Sequence, residues 1–72
     1  MSKMILGVEG MMCPMCEAHV NDAVRNNFKV KKVKSSREKN ETVILAKEEI
    51  PEDKLREVIE ATGYKMTSYI CE

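Results

Sequence analysis

Two segments with helical periodicity, each headed by one of the chain's only two prolines, divide the 72 residues into a regular alternation. Pro14 and Pro51 both stand where the first turn of a helix accepts proline, because the amide hydrogen that proline lacks has no partner there. After each proline, residues recur at helical spacing and form the stripe that is predicted to face the core. Its members are Cys16, Val20, Ala23 and Val24 in the first segment and Leu55, Val58, Ile59 and Thr62 in the second.

The stretches around these helices have strand patterns. "KMILGVEG" alternates apolar and polar residues, "KVKKVKSS" and "ETVILA" flank the polar turn "REKN", and "YKMTSYICE" closes the chain. Val30 and Val33 interrupt the alternation of the second strand, so a bulge or a late start is open there. The pattern also leaves open whether Ile44, or Val43 with Leu45, faces the core.

The resulting order, βαββαβ, limits the fold. Two amphipathic helices need a sheet face to cover, and each β-α-β unit favours a right-handed crossover. The sequence therefore predicts an α+β, ferredoxin-like sandwich of one domain spanning residues 1–72. We expect a four-stranded antiparallel sheet in the order 4-1-3-2, with both helices on one face.

Chain length favours binding over catalysis. A domain this small has a thin core and little room for a substrate cavity of about 300–1,000 Å³, so we expect a carrier and not an enzyme. No stretch approaches the roughly 20 apolar residues of a membrane span, and "MSKMILGVEG" has no signal-peptide core. If the chain is complete, we expect a cytoplasmic protein without membrane insertion, whose cysteines are reduced.

Charge is balanced overall, with 12 basic and 12 acidic residues, but it is unevenly distributed. Residues 29–39 are strongly basic, whereas residues 48–60 are largely acidic. A basic cluster suits an acidic partner or nucleic acid. We favour a solvated edge hairpin, and expect no nucleic-acid partner, because the cluster has one aromatic residue at its edge, Phe28, and no nucleic-acid motif.

Two cysteines, Cys13 and Cys16, stand three residues apart where the first strand meets the first helix. The positive end of the helix favours thiolate over thiol. Two thiolates without an assured third ligand suit a soft ion of low coordination number such as Cu(I), whereas structural zinc takes four ligands. A glutaredoxin-like dithiol redox protein is the alternative; against it, Pro51 heads a helix and does not form a cis-proline start to a strand.

The motif "GMMCPMC" is similar to the GMxCxxC signature of the heavy-metal-associated domain family, which includes small copper chaperones and metal-binding domains of copper-transporting P-type ATPases. The similarity extends over "LGVEGMMCPMCEAHV" and "EDKLREVIEATGY". It implies one Cu(I) per monomer, held by Cys13 and Cys16 and passed by thiolate exchange to such an ATPase domain. Hg(II) or Cd(II) remains an alternative cargo. A monomer, or a metal-bridged dimer, is the expected state.

The resemblance also gives roles to residues near the two cysteines. Met11 matches the family's methionine, which implies packing beneath the loop and not ligation. Met12 replaces the acidic residue that zinc-pump domains more often carry, which argues against zinc. Met12 and Met15 either screen copper, pack on a partner or are plain surface. Tyr64 corresponds to a tyrosine beside the metal site that influences the thiolates, with a packing role as the alternative.

Two further residues have metal-binding side chains. His19 lies one helical turn after Cys16 and about 60° off its line. It is a possible spare ligand, although a half-exposed polar position is favoured. Cys71 stands at the end of the last strand. Tyr64 marks the other end of that strand, beside the predicted metal site, and about 20 Å separates the two residues. That distance excludes it from the same site and from a disulfide with Cys13 or Cys16, which leaves an incidental cysteine or a link to another molecule.

Overall fold

The computed structural model describes the whole chain, residues 1–72, and confirms the predicted order of elements. Strand and helix begin close to the sequence signals, with Pro14 as the first residue of the first helix and Pro51 directly before the second. The elements are β1 (Ser2–Glu9), α1 (Pro14–Asn27), β2 (Lys32–Ser36), β3 (Glu41–Ala46), α2 (Glu52–Ala61) and β4 (Lys65–Cys71).

The four strands form one sheet in the order β2-β3-β1-β4, and every neighbouring pair is antiparallel. This is the predicted order 4-1-3-2 seen from the opposite edge. Helix α1 contacts β2, α2 contacts β4, and the two helices contact each other, so both cover the same face. The fold is therefore the predicted α+β, ferredoxin-like sandwich.

The core lies between the helices and the inward face of the sheet. It consists of 13 buried apolar side chains: Met4, Leu6, Val8, Met11, Val20, Val24, Val33, Ile44, Ala46, Ile50, Leu55, Ile59 and Met66. Ile44 belongs to this set whereas Val43 and Leu45 are half-buried on the other face, which answers the question that the alternation of β3 leaves open. Strand β2 starts late, at Lys32, so Val30 precedes it.

The predicted inward stripe of α2 is partly wrong. Leu55 and Ile59 are fully buried, but Val58 is half-buried and Thr62 is exposed. The helix ends at Ala61, and Thr62 turns its hydroxyl back to donate to the Ile59 carbonyl. Helical spacing predicts Thr62 as the next member of the stripe, but the helix ends one residue before it.

A bulge in β4 changes which of its side chains face the helices. Gly7 pairs with Ser68 and Val8 pairs with Met66, so Thr67 is an extra residue in the ladder. A Cβ at Gly7 would clash with the hydroxyls of Thr67 and Ser68, so a larger residue there would force these side chains to move. After the bulge Tyr69 turns inward, where its hydroxyl donates to the Ile50 carbonyl at 2.8 Å.

A buried polar network joins α1 to the β2–β3 hairpin. The Ser35 hydroxyl donates to the Asn21 side-chain oxygen at 2.7 Å and, having one hydrogen, accepts from the Thr42 hydroxyl at 2.9 Å. No buried side-chain nitrogen or oxygen lacks a partner. Neither helix has the length and apolar character needed to cross a bilayer.

The assignment of faces in β3 predicts unequal costs for two neighbouring truncations. Ile44→Ala removes a fully buried side chain and should lower the free energy of unfolding by about 2–5 kcal/mol. Val43→Ala, one residue earlier on the half-exposed face, should cost about 1 kcal/mol or less. Urea denaturation of both variants tests this; equal costs, or the reverse order, would mean that the opposite face of β3 packs on the core.

Candidate metal centre

Residues 10–13 connect β1 to α1 and are anchored on both sides. Gly10 adopts φ +105°, and a Cβ there would lie 3.1 Å from the Tyr64 ring, so both backbone conformation and space favour glycine. Met11 is only 4% exposed and belongs to the core, which is the place expected for it. The buried Met11 side chain holds the connection against the core and leaves the residues that follow at the surface.

Cys13 is the residue that caps α1, and it does so with its backbone. It is extended (φ −154°, ψ 167°), and its carbonyl accepts from the N–H groups of Cys16 at 3.0 Å and Glu17 at 3.4 Å. Its side chain forms no capping hydrogen bond. The Cys13 sulfur is therefore free to act as a ligand at the positive end of the helix dipole.

The structure brings the two predicted sulfur atoms together at the surface. Cys13 Sγ and Cys16 Sγ are 3.3 Å apart, with Cys13 exposed and Cys16 half-buried. With metal–sulfur bonds of about 2.3 Å, an ion midway between two sulfurs needs them about 4.6 Å apart. Because Cys13 is the more exposed of the two, an outward rotation of its side chain can open that space.

The surroundings of Cys16 favour its thiolate. Its pKa is lowered from 9.0 to about 7, chiefly by a hydrogen bond from the Tyr64 hydroxyl, then by the backbone N–H of Met12 and by the Cys13 side chain. Partial burial opposes this shift, because an apolar environment disfavours charge. The net effect of these contacts favours the Cys16 thiolate, which is the form that binds soft metals.

Tyr64 lies in the connection between α2 and β4 and is half-buried against the core. Its pKa is raised, first by its hydrogen bond to Cys16 and then by burial. The raised pKa keeps the proton on the Tyr64 hydroxyl at neutral pH. The half-buried ring packs on the core, whereas the influence of its hydroxyl on a thiolate stays a prediction that the Tyr64→Phe variant tests.

The other candidate donors are exposed to solvent. Met12 and Met15 are 85% and 68% exposed, and His19 is also exposed on α1. Three or more His, Cys, Asp or Glu side chains do not come together anywhere in the chain. The candidate ligand set is therefore the two sulfurs alone, which is too few for a closed four-ligand zinc site.

Cys71 lies at the opposite end of the sheet from the two cysteines. It pairs with Met4 near the start of β1, whereas Glu9 at the end of β1 leads into the loop, about 17 Å further along the strand. Burial, followed by the nearby charge of Glu49, raises the pKa of the Cys71 thiol. The environment of Cys71 therefore disfavours its thiolate, whereas the environment of Cys16 favours its thiolate.

Glu17, directly after Cys16, supports the site in a way that the sequence pattern did not indicate. Its carboxylate accepts a hydrogen bond of 2.7 Å from the backbone N–H of Arg37 and lies 3.9 Å from the Arg37 guanidinium. This contact ties the first turn of α1 to the β2–β3 turn. The two residues are 20 positions apart, so no local periodicity connects them.

Comparison with known proteins agrees with this geometry. The family model described as the heavy-metal-associated domain matches residues 5–65, which is most of the chain and includes both cysteines. The chain belongs to the heavy-metal-associated domain family. This heavy-metal-associated domain has no significant match among curated proteins in a sequence search.

Solved structures resemble this heavy-metal-associated domain over nearly their full lengths. A CopZ metallochaperone is 26% identical, with 90% of this chain and 98% of that one covered and a TM-score of 0.82. A copper-binding domain from HMA7, a P-type ATPase, is 26% identical over 96% and 97%, with a TM-score of 0.81. The yeast copper transporter domain CCC2A is 30% identical over 92% of each chain, with a TM-score of 0.80.

The hydrogen bond from Tyr64 predicts a change in the pH dependence of Cys16 reactivity. In a Cys71→Ser background, Tyr64→Phe removes the main group that stabilises the thiolate, so the pKa of Cys16 should rise from about 7 toward 9.0. Alkylation of Cys16 at pH 7 should then slow severalfold, and the two proteins should converge above pH 9. Iodoacetamide labelling resolved by peptide mass spectrometry measures both profiles.

Tyr69→Phe is the matched control, because that hydroxyl donates to the Ile50 carbonyl and not to a cysteine of the loop. It should leave the Cys16 profile unchanged. An unaltered profile in Tyr64→Phe would show that the tyrosine only packs beside the loop.

Proposed function

We propose that this domain carries a single soft metal ion, most favourably Cu(I), and delivers it to the metal-binding domain of a P-type ATPase by thiolate exchange. The observation that carries the proposal is the pair of accessible sulfurs, 3.3 Å apart at the start of α1. Family membership supports heavy-metal binding and transfer in general. The identity of the ion and of the partner is inferred from the donor set and from the similar transporter domains.

The donor set favours Cu(I) among the possible ions. Soft thiolate ligands select Cu(I), which accepts low coordination, whereas structural zinc requires four ligands. Cys13 and Cys16 are the proposed ligands, and Met12, Met15 and His19 remain outside the site as exposed residues. Copper is also named for two similar transporter domains, CCC2A and the HMA7 domain.

The proposed exchange follows from the different exposure of the two sulfurs. An incoming thiolate reaches the ion from solvent beside Cys13, whereas Cys16 is backed by the core and by Tyr64. The ion passes through a three-coordinate state before Cys13 and Cys16 release it. Catalytic turnover is not required, so the proposed role is that of a carrier and not of an enzyme, acting in the cytoplasm as a monomer or as a metal-bridged dimer.

The same geometry accommodates other soft cargo, so a carrier for Hg(II) or Cd(II) is the second candidate. The dithiol redox alternative has less support. All strand pairs are antiparallel and Pro51 stands before α2, so no proline-led strand lies beside the two thiols. Competitive binding of Cu(I), Hg(II) and Cd(II) to the reduced protein shows which ion it binds most tightly.

Cysteine substitutions provide the direct test of Cu(I) binding. Anaerobic titration of the reduced protein against a chromogenic Cu(I) chelator should give one ion per monomer. Cys16→Ser should weaken binding by more than about 100-fold, because loss of a ligand costs more than loss of a group that supports one. Cys71→Ser is the matched control and should bind as the unaltered protein does.

Retention of full Cu(I) affinity in Cys16→Ser, or its loss in Cys71→Ser, would contradict the proposed site. If the oxidised Cys13–Cys16 pair instead turned over glutathione at useful rates while Cu(I) bound weakly, the redox alternative would replace the carrier.

A further inference from the structure

The helices cover one face of the sheet and leave the other face open. Ile5 pairs with Val43 on one side and with Ile70 on the other, so these three side chains form an apolar row across the open face. Leu45 lies two residues along β3 from Val43, in the same orientation. Ile70 is 55% exposed and the other three are half-buried, so an apolar surface remains accessible.

A groove of about 400 Å³ runs along this face between β2, β3 and the start of β1. Val43 and Leu45 form its apolar part, and Lys3, Lys32, Lys34 and Lys39 surround them. We call the groove formed by these six residues, together with Ser36 and Glu41, the basic groove. Its lining includes a single carboxylate, Glu41.

Three of these lysines have no ionic partner in the chain. The five ion pairs of the structure include Lys3, which lies 3.9 Å from Glu72, but not Lys32, Lys34 or Lys39. The alkyl stems of lysines often cover apolar surface while their charges stay in water. Here they border the groove without filling it, and three positive charges remain available to an incoming group.

The opposite side of the molecule has the opposite charge. A shallow surface on α2 is lined by Glu52, Asp53, Glu57 and Glu60 together with Arg56, without any apolar residue. The net charge of zero therefore conceals a separation between a basic sheet face and an acidic helix face. Such an arrangement orients a charged partner, because one face attracts it and the other repels it.

We propose that the basic groove is a docking surface for an acidic amphipathic helix of a partner protein. Its apolar stripe would pack on Val43 and Leu45, and its flanking carboxylates would pair with Lys32, Lys34 and Lys39. A helix is the expected element because α1 and α2 cover the other face of the same sheet in this way. A span of about 20 Å along strands of this length corresponds to about 14 helical residues.

Two other occupants fit the groove less well. The α2 helix of a second copy is acidic outside, but its apolar residues Leu55 and Ile59 are fully buried in its own core. Such a contact would lack the apolar component and, being head-to-tail, would not close into a dimer. Single-stranded nucleic acid is bound by aromatic platforms as well as positive charge, and the groove contains no aromatic residue.

The docking surface is separate from the two thiols but extends toward the same end of the sheet. Lys39 lies in the β2–β3 turn, next to Asn40, whose carbonyl accepts a hydrogen bond of 2.8 Å from the N–H of Val8 near the end of β1. The groove lining contains neither cysteine. Docking is thus independent of metal, and its test is independent of the proposed carrier function.

A designed peptide provides the probe. It has about 14 residues, with a leucine stripe flanked by glutamates, and a second peptide has lysines in place of the glutamates. Titration of the isotope-labelled, metal-free protein, followed by NMR, should move the amide signals of β2, β3 and residues 3–5. The expected dissociation constant lies between about 10 μM and 1 mM, as suits a small interface, and should weaken with added salt.

Charge reversals identify the surface. Lys32→Glu combined with Lys34→Glu should weaken binding of the acidic peptide by at least about tenfold, which is the effect of 1.4 kcal/mol. The matched control, Lys29→Glu with Lys54→Glu, changes net charge equally at exposed positions outside the groove and should bind as before. Far-ultraviolet circular dichroism confirms that both variants fold. Cys13→Ser with Cys16→Ser should leave peptide binding unchanged.

Several results would overturn the proposal. These are equal binding of the lysine peptide, equal effects of the two double reversals, or shifts confined to α1, α2 or the cysteine loop. Concentration-dependent self-association that the Lys32→Glu, Lys34→Glu variant abolishes would replace the partner helix with a second copy. Tighter binding of single-stranded RNA than of the peptide would replace it with nucleic acid.

Discussion

The burial of Met11 fixes the connection between β1 and α1, on which the candidate metal site depends. It joins the core at one end of a four-residue connection, and Cys13 begins α1 at the other, so the chain between them has little freedom. Gly10 adopts the positive φ of this turn and leaves room for the Tyr64 ring, and Met11 directly after it is buried in the core. These groups carry most of the local packing, so Cys13 is exposed and Cys16 lies half-buried beside it.

This separation of packing from ligation distinguishes a carrier from a structural metal site. Thirteen apolar side chains form the core, and buried polar groups such as Ser35 and Thr42 find partners within the chain. A structural zinc site, by contrast, supplies folding energy directly, so losing the metal means unfolding. Here the ion is proposed to enter and leave at the start of α1 while the sandwich stays intact, and the basic groove gives a partner a second place to bind.

Sequence patterns predict most of the fold because its elements are locally consistent. Proline-headed helices, the alternation of β1 and the cysteine spacing each specify their own structure without distant contacts. Where the patterns fail, long-range contacts decide: pairing with β1 selects Ile44 as the inward residue of β3, and the Thr67 bulge changes the faces of β4. Thr62 lies beyond the end of its helix, and the link from Glu17 to Arg37 joins residues that no local pattern relates.

We propose that Cys13 and Cys16 alone hold one Cu(I). X-ray absorption at the copper edge of the reduced, singly loaded protein tests it most directly, because the fine structure counts the sulfur neighbours of the ion. We predict two sulfur neighbours in the unaltered protein and in Cys71→Ser, with no imidazole contribution from His19. A shell dominated by nitrogen, or a sulfur count that falls in Cys71→Ser, would contradict the account.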